Sequence, residues 1–372
     1  MLQYFWQSEQ WPHYRWRAED LLAPLAELRK TQGRVLGLAA SLGFDEGLRA
    51  TALALEEDAM QTAAIEGERL DREKVRSSIA LRLALPSASL PPLDRAVDGL
   101  VEVLLDATRQ YDQALDQKRL CGWHAALFPT GRSGLERVTA GAWRTAALRV
   151  LSGPFGKQKV HFEAPPPERL PGEMKTYFAW WRESRDLDGL IRAALAHLYF
   201  VTIHPFDDGN GRLARALSDL ALAQDEGAGR RFYSLSAQIM KERREYYRVL
   251  ERTQKNDGDC TEWLLWFFGC LTRAIEGTGQ ILATVLLKAR FWQKHAEASL
   301  INERQRKVLN RLLDAGPGGF EGGLSTRKYM SLTKTSRATA WREIDDLLKR
   351  GLLAPRPGGG RSTAYDIDWP AG

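Results

Sequence analysis

Apolar and polar positions along this chain recur mostly at helical spacing. In the first 82 residues Leu21, Leu22, Leu25 and Leu28 fall three and four apart or adjacent on one face, and no run of alternating β-branched residues appears. The spacing predicts helices over most of 1–82. Leu85 to Pro92 (LPSASLPP) then breaks the pattern and reads as a linker. Helical spacing resumes over 93–300, with one exception at 143–169. There Ser152, Gly153, Pro154, Phe155 and Gly156 read as a turn, and Val160, His161 and Phe162 after it have strand character. A β-hairpin on a helical domain is the expectation, with domains at 1–85 and 93–300.

Composition narrows this picture. The chain has 372 residues, 44% hydrophobic and 27% charged, as expected of a folded globular protein. Its uncharged apolar run WLLWFFGCL (263–271) is far short of the ~20 residues a membrane span needs, so no membrane partner is expected. The opening residues MLQYFWQSEQ lack a basic stretch followed by an apolar one, the mark of a secretory signal. Three cysteines, Cys121, Cys260 and Cys270, are an odd number without CxxC spacing. A disulfide scaffold is therefore not expected, and the cytoplasm is the natural compartment.

Charge is placed unevenly. The net charge is +6, yet the first 300 residues carry 40 Lys and Arg against 39 Asp and Glu, whereas 301–372 carry 13 against 8. In that basic tail 325–350 reads as helix-turn-helix, with Ala340, Ile344, Leu347 and Leu348 on one face of the second helix and Gly351 as its stop. Residues 352–355, a glycine turn at 358–360 and 362–367 then resemble the hairpin of a winged helix. Arg337, Arg342, Arg356 and Arg361 could meet DNA there, against which Asp345 and Asp346 would repel phosphates. A winged-helix-like domain at 301–372 is the third expectation, with DNA as one candidate partner.

The chemistry is concentrated at 202–215, TIHPFDDGNGRLAR, between two helix patterns. Gly209, Asn210 and Gly211 all tolerate positive φ, and a loop of that kind opening a helix turns several N–H groups toward one point. With the positive helix end behind them, this is an anion cradle. Arg212 and Arg215 lie three apart, on one face of the following helix, and both can fork onto phosphate oxygens. Asp208 is an oxygen ligand of the type Mg²⁺ uses beside phosphates. His204 titrates near neutrality and can take a proton from a hydroxyl. Base, metal ligand, cradle and two arginines together point to phosphoryl or nucleotidyl transfer. His197 stands seven residues before His204, but no third ligand for a transition metal stands nearby.

These residues match the Fic signature HPFx(D/E)GNGRxxR throughout, so the middle of the chain resembles the Fic family. The resemblance implies a mainly α fold with a Fic-type helical core, a β-hairpin flap and an N-terminal helical domain. It also implies transfer of AMP from ATP to a hydroxyl of a target protein or of the chain itself. By that resemblance His204 is the base, Phe206 anchors the loop and Asp208 holds Mg²⁺. Gly209, Asn210, Gly211 and Arg212 cradle the phosphates, and Arg215 meets the γ-phosphate. The hairpin, through Lys159, Val160 and His161, receives the target's backbone as an added strand. His161 is a weaker base candidate than His204. Phe232 to Ser236, and Tyr246 with Tyr247, lie where relatives build the base pocket, and Tyr247 is favoured. A second copy of the chain is a further candidate partner.

Many Fic proteins also carry an inhibitory helix with the pattern (S/T)xxxE(G/N). Two stretches match, Thr62 to Gly67 and Thr272 to Gly277. Leu55, Ala59, Thr62, Ala63 and Glu66 share one helical stripe, which turns Glu66 toward the apolar side, where a carboxylate needs a cation. Glu66 is therefore favoured over Glu276 as the brake, with Arg215 as its partner. Two other functions stay open at this level. One is a DNA-binding regulator whose core senses a nucleotide. The other is a Fic enzyme that uses another donor or removes AMP.

Overall fold

The computed structural model describes residues 4–85, 91–153, 158–295, 301–356 and 364–369. Residues 86–90 of the expected linker, 154–157 of the expected hairpin turn, and the glycine turn with Arg361 lie outside them. The chain forms two compact units, one of 1–37 and 51–278, the other of 38–50 and 279–372.

In chain order the helices are α1 (Ala18–Ala40), α2 (Phe44–Ile65), α3 (Arg72–Arg82), α4 (Arg95–Arg109) and α5 (Gln117–Leu127). Then come α6 (Leu170–Glu183), α7 (Gly189–Ile203), α8 (Asn210–Glu226), α9 (Leu235–Lys241), α10 (Arg243–Gln254) and α11 (Thr261–Lys294). The last three are α12 (Glu303–Ala315), α13 (Thr326–Thr333) and α14 (Arg337–Lys349). Three two-stranded antiparallel pairs complete it: β1 (Arg132–Ser133) with β2 (Glu136–Arg137), β3 (Arg149–Ser152) with β4 (Lys159–Glu163), and β5 (Leu353–Pro355) with β6 (Tyr365–Ile367). The expected mainly α class holds.

The first unit is built on α7 packed against α8. Both are buried nearly all round; α7 is apolar on most faces, as an interior helix reads, whereas α8 also buries Asn210, Arg212, Arg215, Ser218 and Asp219. Ala193, Ala194 and Ala196 on α7, and Ala214, Ala216 and Ala221 on α8, leave room for a close approach. On α2, Leu55, Ala59, Thr62 and Ala63 are buried as the stripe predicted. In α1, Leu21 and Leu28 are buried but Leu22 is 68% exposed, so the inward face is narrower than four leucines suggest.

The hairpin β3–β4 pairs Val150 with Phe162 and Leu151 with Val160, and the shift between them leaves His161 as a bulged residue. Its base is fixed to the N-terminal segment. Phe162 packs edge-on to Tyr4 at 5.1 Å, and the Trp6 indole donates to the Glu163 carbonyl at 2.8 Å.

In the second unit Val308, Leu312, Tyr329, Ala340, Ile344 and Leu347 form a core with Leu353 and Ile367 of the small hairpin. Phe291 of α11, upstream of residue 301, belongs to this core too. Gly351 closes α14 at φ +67°, its N–H bonded to the Leu348 carbonyl.

Candidate active site

The loop between α7 and α8 is a sharp reversal. His204 ends α7 in the left-handed region, at φ 52° and ψ 60°, which is costly for a residue with a Cβ. Its side chain faces a cavity while its backbone is tied down. The His204 N–H bonds the Phe200 carbonyl at 3.0 Å, and the His204 carbonyl accepts from Arg144 Nε at 2.8 Å. A carbonyl only accepts, so the contact of His204 Nδ1 with the Val201 carbonyl at 3.0 Å places the proton on Nδ1. Nε2 keeps its lone pair. Burial also lowers the imidazole pKa, opposed in part by the Val201 hydrogen bond. His204 is thus a neutral, oriented imidazole at pH 7.

Three further residues hold this loop, and two of them lie far from it in sequence. Arg144 is buried and donates to the carbonyls of His204, Ala146 and Pro165, joining the loop to the base of the hairpin. His124 stacks on Phe206 with ring centres 3.9 Å apart and planes at 6°. Its Nδ1 accepts the Gly141 N–H at 2.9 Å, so Nε2 is the protonated atom and donates to the Asp208 carbonyl at 3.2 Å. Phe206 is fully buried beneath. Asn210 closes the turn, accepting from Phe206 N at 3.0 Å and donating to Phe206 O at 2.8 Å. The sequence expectation gave Asn210 a phosphate-cradling role. Its side chain is instead buried and engaged within the loop, which leaves only its backbone N–H for the cradle.

The cradle sits at the N-terminus of α8. Gly209 takes φ +76°, and a Cβ there would strike Phe128 at 2.8 Å. At Gly211 a Cβ would meet the Glu66 carboxylate at 2.1 Å, so this carboxylate lies directly over the glycine. Arg215 is 1% exposed. Its Nη2 donates to Glu66 Oε1 at 2.8 Å and to the Thr62 carbonyl at 3.0 Å, and its Nε donates to the Thr62 hydroxyl at 2.6 Å. Its Nη1 is buried with no partner. Arg212 is held by a second carboxylate, Glu68 Oε2, at 3.2 Å, and its guanidinium lies over the Phe128 ring at 4.9 Å. A pair of carboxylates from the turn after α2 thus meets both arginines. Glu276 lies exposed on α11, away from this arrangement.

A cavity of about 570 Å³ opens beside the cradle, lined among others by Glu66, His204, Asp208, Gly211, Ser152, His161, Tyr247 and Glu251. Tyr247 is partly exposed at this cavity, whereas Tyr246 is buried with its hydroxyl on His197 Nε2 at 2.9 Å. The other ring nitrogen of His197 bonds Ser218 at 3.2 Å, so both are engaged in the core. Tyr233, from the other stretch expected at the base pocket, is buried against Glu226 and does not line the cavity. On β4, Lys159 and Val160 are exposed and His161 turns to the cavity. Asp208 is half-exposed there. No group of three or more His, Cys, Asp or Glu converges among the described residues. One carboxylate at a phosphate cradle nevertheless suits a hard cation whose other ligands are phosphate and water oxygens.

Two stretches of the chain match known protein families. The Fic/DOC family model matches residues 114–222, and a domain of unknown function, DUF4172, matches 4–85. Residues 114–222 are a Fic domain. The chain is 27% identical to a protein adenylyltransferase Fic of Nematostella vectensis, over 57% of this chain and 46% of that one. It is 44% identical to a uridine 5'-monophosphate transferase of Xanthomonas campestris pv. campestris, over 16% of this chain and 12% of that one. The chain spans less than half the length of these curated relatives. A Fic family protein from Desulfovibrio desulfuricans shares the fold, with TM-score 0.55 and 19% identity over 94% of this chain and 95% of that one. The Fic domain contributes the motif loop, His124 and Arg144. Glu66 and Glu68 lie in the stretch matched by the other model. Of these, Arg144, His124 and Glu68 carried no signal in the sequence, because each acts through a contact distant in the chain.

Proposed function

We propose that this Fic-domain protein transfers AMP from ATP to a hydroxyl of a target protein or of its own chain, and that Glu66 restrains it. The observation that carries the reading is a neutral His204 with a free Nε2 beside the N-terminus of α8. The Arg215 side chain there is already bound to a carboxylate. Phosphates at the α8 amides, Arg212 and Arg215 would have their charge balanced by fixed groups, and His204 would take the proton of the incoming hydroxyl. Asp208 would hold Mg²⁺, which supplies charge neutralisation at the phosphates. Glu66 takes the place over Gly211 where a phosphate oxygen would sit, so nucleotide must displace it. The test is incubation of the Glu66→Gly protein with ATP labelled at the α-phosphate. Label should appear on protein and vanish with His204→Ala. A panel of other labelled nucleotides decides the donor, since one relative is named for UMP transfer.

A second role fits residues 301–369, read as a winged helix. Arg337, Trp341 and Arg342 share the outer face of α14, with Trp341 61% exposed. The acidic residues expected to repel DNA are engaged: Asp345 with Lys349 at 2.7 Å, and Asp346 with Arg350 at 2.9 Å and Gln305 at 2.8 Å. Duplex DNA binding that survives His204→Ala, weakens on losing Arg337 or Arg342 and falls steeply with salt is the outcome this reading requires.

A further inference from the structure

Two arginines at the start of α10 border the cavity beside the cradle and also reach beyond it. Arg243 and Arg244 line that cavity. The same two residues line a second, open groove of about 550 Å³ formed by residues 240–245, at the turn from α9 to α10. Arg243 is steadied by Tyr247, one helical turn on, with its guanidinium 5.5 Å from the ring centre. The stretch carries more positive charge than its own carboxylates balance. Glu242 is taken up by Arg273 at 2.6 Å, and Glu245 by Arg248 at 2.8 Å. Lys241, Arg243 and Arg244 are exposed and form no ion pair among the described residues. Three unpaired cations within four residues favour an anionic partner.

The phosphates of a donor nucleotide do not account for them. In the reading above those phosphates have the α8 amides, Arg212 and Arg215, and none of these residues lines the groove at 240–245. The hairpin adds exposed apolar surface to the same cavity, at Leu151. A partner that meets Leu151 and the α10 arginines together needs apolar and acidic side chains in one chain. A polypeptide offers both, whereas a nucleic acid offers phosphates but no aliphatic side chains.

We propose that Arg243 and Arg244 form a recognition site for acidic side chains of the target polypeptide, near the hydroxyl that receives AMP. The proposal rests on the AMP-transfer reading above and adds the class of target. A segment added along the hairpin presents its hydroxyl to His204 and carries Asp or Glu a few residues away, toward α10. Arginine suits this task, because its planar fork binds a carboxylate through two hydrogen bonds. Both side chains are exposed, so they act on the choice between targets and on the rate of encounter more than on tightness.

The test uses the full-length Glu66→Gly protein and fluorescein-labelled synthetic peptides with a central serine, threonine or tyrosine. One set is flanked by valine and glutamate, the other by valine and lysine. Anisotropy at low salt reads binding, and α-phosphate-labelled ATP with Mg²⁺ reads transfer. The glutamate peptides should bind about 10-fold more tightly, as two exposed ion pairs allow, and should be labelled faster. Adding Arg243→Glu and Arg244→Glu should reverse the order, a result that a merely structural role would not produce. Equal binding of the two sets, or a preference for glutamate that survives both substitutions, would overturn the proposal. A loss of ATP affinity larger than the loss for the glutamate peptides would also overturn it, because the arginines would then serve the donor. Tighter binding of a fluorescein-labelled DNA duplex that both substitutions abolish would assign the surface to nucleic acid instead. Label on the protein with the glutamate peptides bound but bare would overturn the placement beside the reacting hydroxyl. A preference for glutamate with no label on any protein or peptide would overturn AMP transfer and leave the acidic-segment site standing.

Discussion

Glu66 Oε1 and Arg215 Nη2 are 2.8 Å apart, one partner from the end of α2 and the other from the interior of α8, 149 residues later. The arginine is fully buried and the carboxylate is not, so the pair is an open contact that a competing anion can replace. A hydrogen bond to a charged group is worth about 1.5–3 kcal/mol. Glu66→Gly is expected to raise label transfer from ATP by about 10- to 100-fold, read as initial rates at fixed nucleotide. An unchanged rate in a folded Glu66→Gly protein would count against restraint by this contact.

The same substitution removes the carboxylate paired with Arg215 and leaves its bonds to Thr62. An incompletely compensated buried cation destabilises, here by about 1–3 kcal/mol. The Glu66→Gly protein should therefore melt at a lower temperature without nucleotide. Saturating nucleotide should recover the loss, because ligand bound only to the folded state stabilises it. Thermal melts with and without ATP and Mg²⁺ read both effects.

Glu68 touches Arg212 at 3.2 Å but is about half exposed, so its contribution is that of a surface pair, about 0–1 kcal/mol. Glu68→Ala should raise transfer no more than about 5-fold alone, and should add to Glu66→Gly. The outcome to look for is a ratio between single and double variants. A Glu68→Ala gain as large as that of Glu66→Gly would show that Arg212 is the arginine whose release limits the reaction.

The features legible in the sequence were those that neighbours along the chain decide. The reversal from His204 to Gly211 was visible because its glycines and arginines must lie at fixed spacing, and the α2 stripe was visible because Thr62 and Glu66 follow helical period. The clamps on the loop were not. Arg144 reaches the His204 carbonyl across 60 residues, and His124 reaches Asp208 across 84. Neither sits in a pattern of its own. The bonds of the Asn210 side chain to Phe206 were hidden for a related reason: the short turn brings the Phe206 backbone within its reach, a closure invisible in residue order.

Gly211→Ala separates the restraint proposed for Glu66 from the phosphate binding proposed for the α8 N-terminus. Its Cβ would lie where the Glu66 carboxylate now sits, 2.1 Å from Oε1. The substitution should evict Glu66 and yet leave no room for a phosphate oxygen. Transfer is expected to be lost in both the native and the Glu66→Gly backgrounds. Nucleotide binding by calorimetry should weaken with it, while a variant that bound and transferred normally would place the phosphates elsewhere.

His124 makes the loop's stability depend on pH in a defined direction. Burial opposes its charged form and pushes its pKa down to about 4, from an ordinary value near 6.5. Between those values the unfolded chain holds a proton that the folded chain does not. Its stabilising contribution is therefore complete above about pH 6.5 and is lost as pH falls through about 4. The linkage relation gives a fall of about 2 kcal/mol between pH 7 and pH 5. His197, likewise buried and lowered to about 3, loses a similar amount over the same interval. Native protein should lose about 2 kcal/mol more stability than His124→Phe on going from pH 7 to pH 5. The substitution retains a ring against Phe206 but cannot titrate. Urea midpoints at the two pH values measure the difference, and equal losses in both proteins would mean that His124 takes up its proton without leaving the fold.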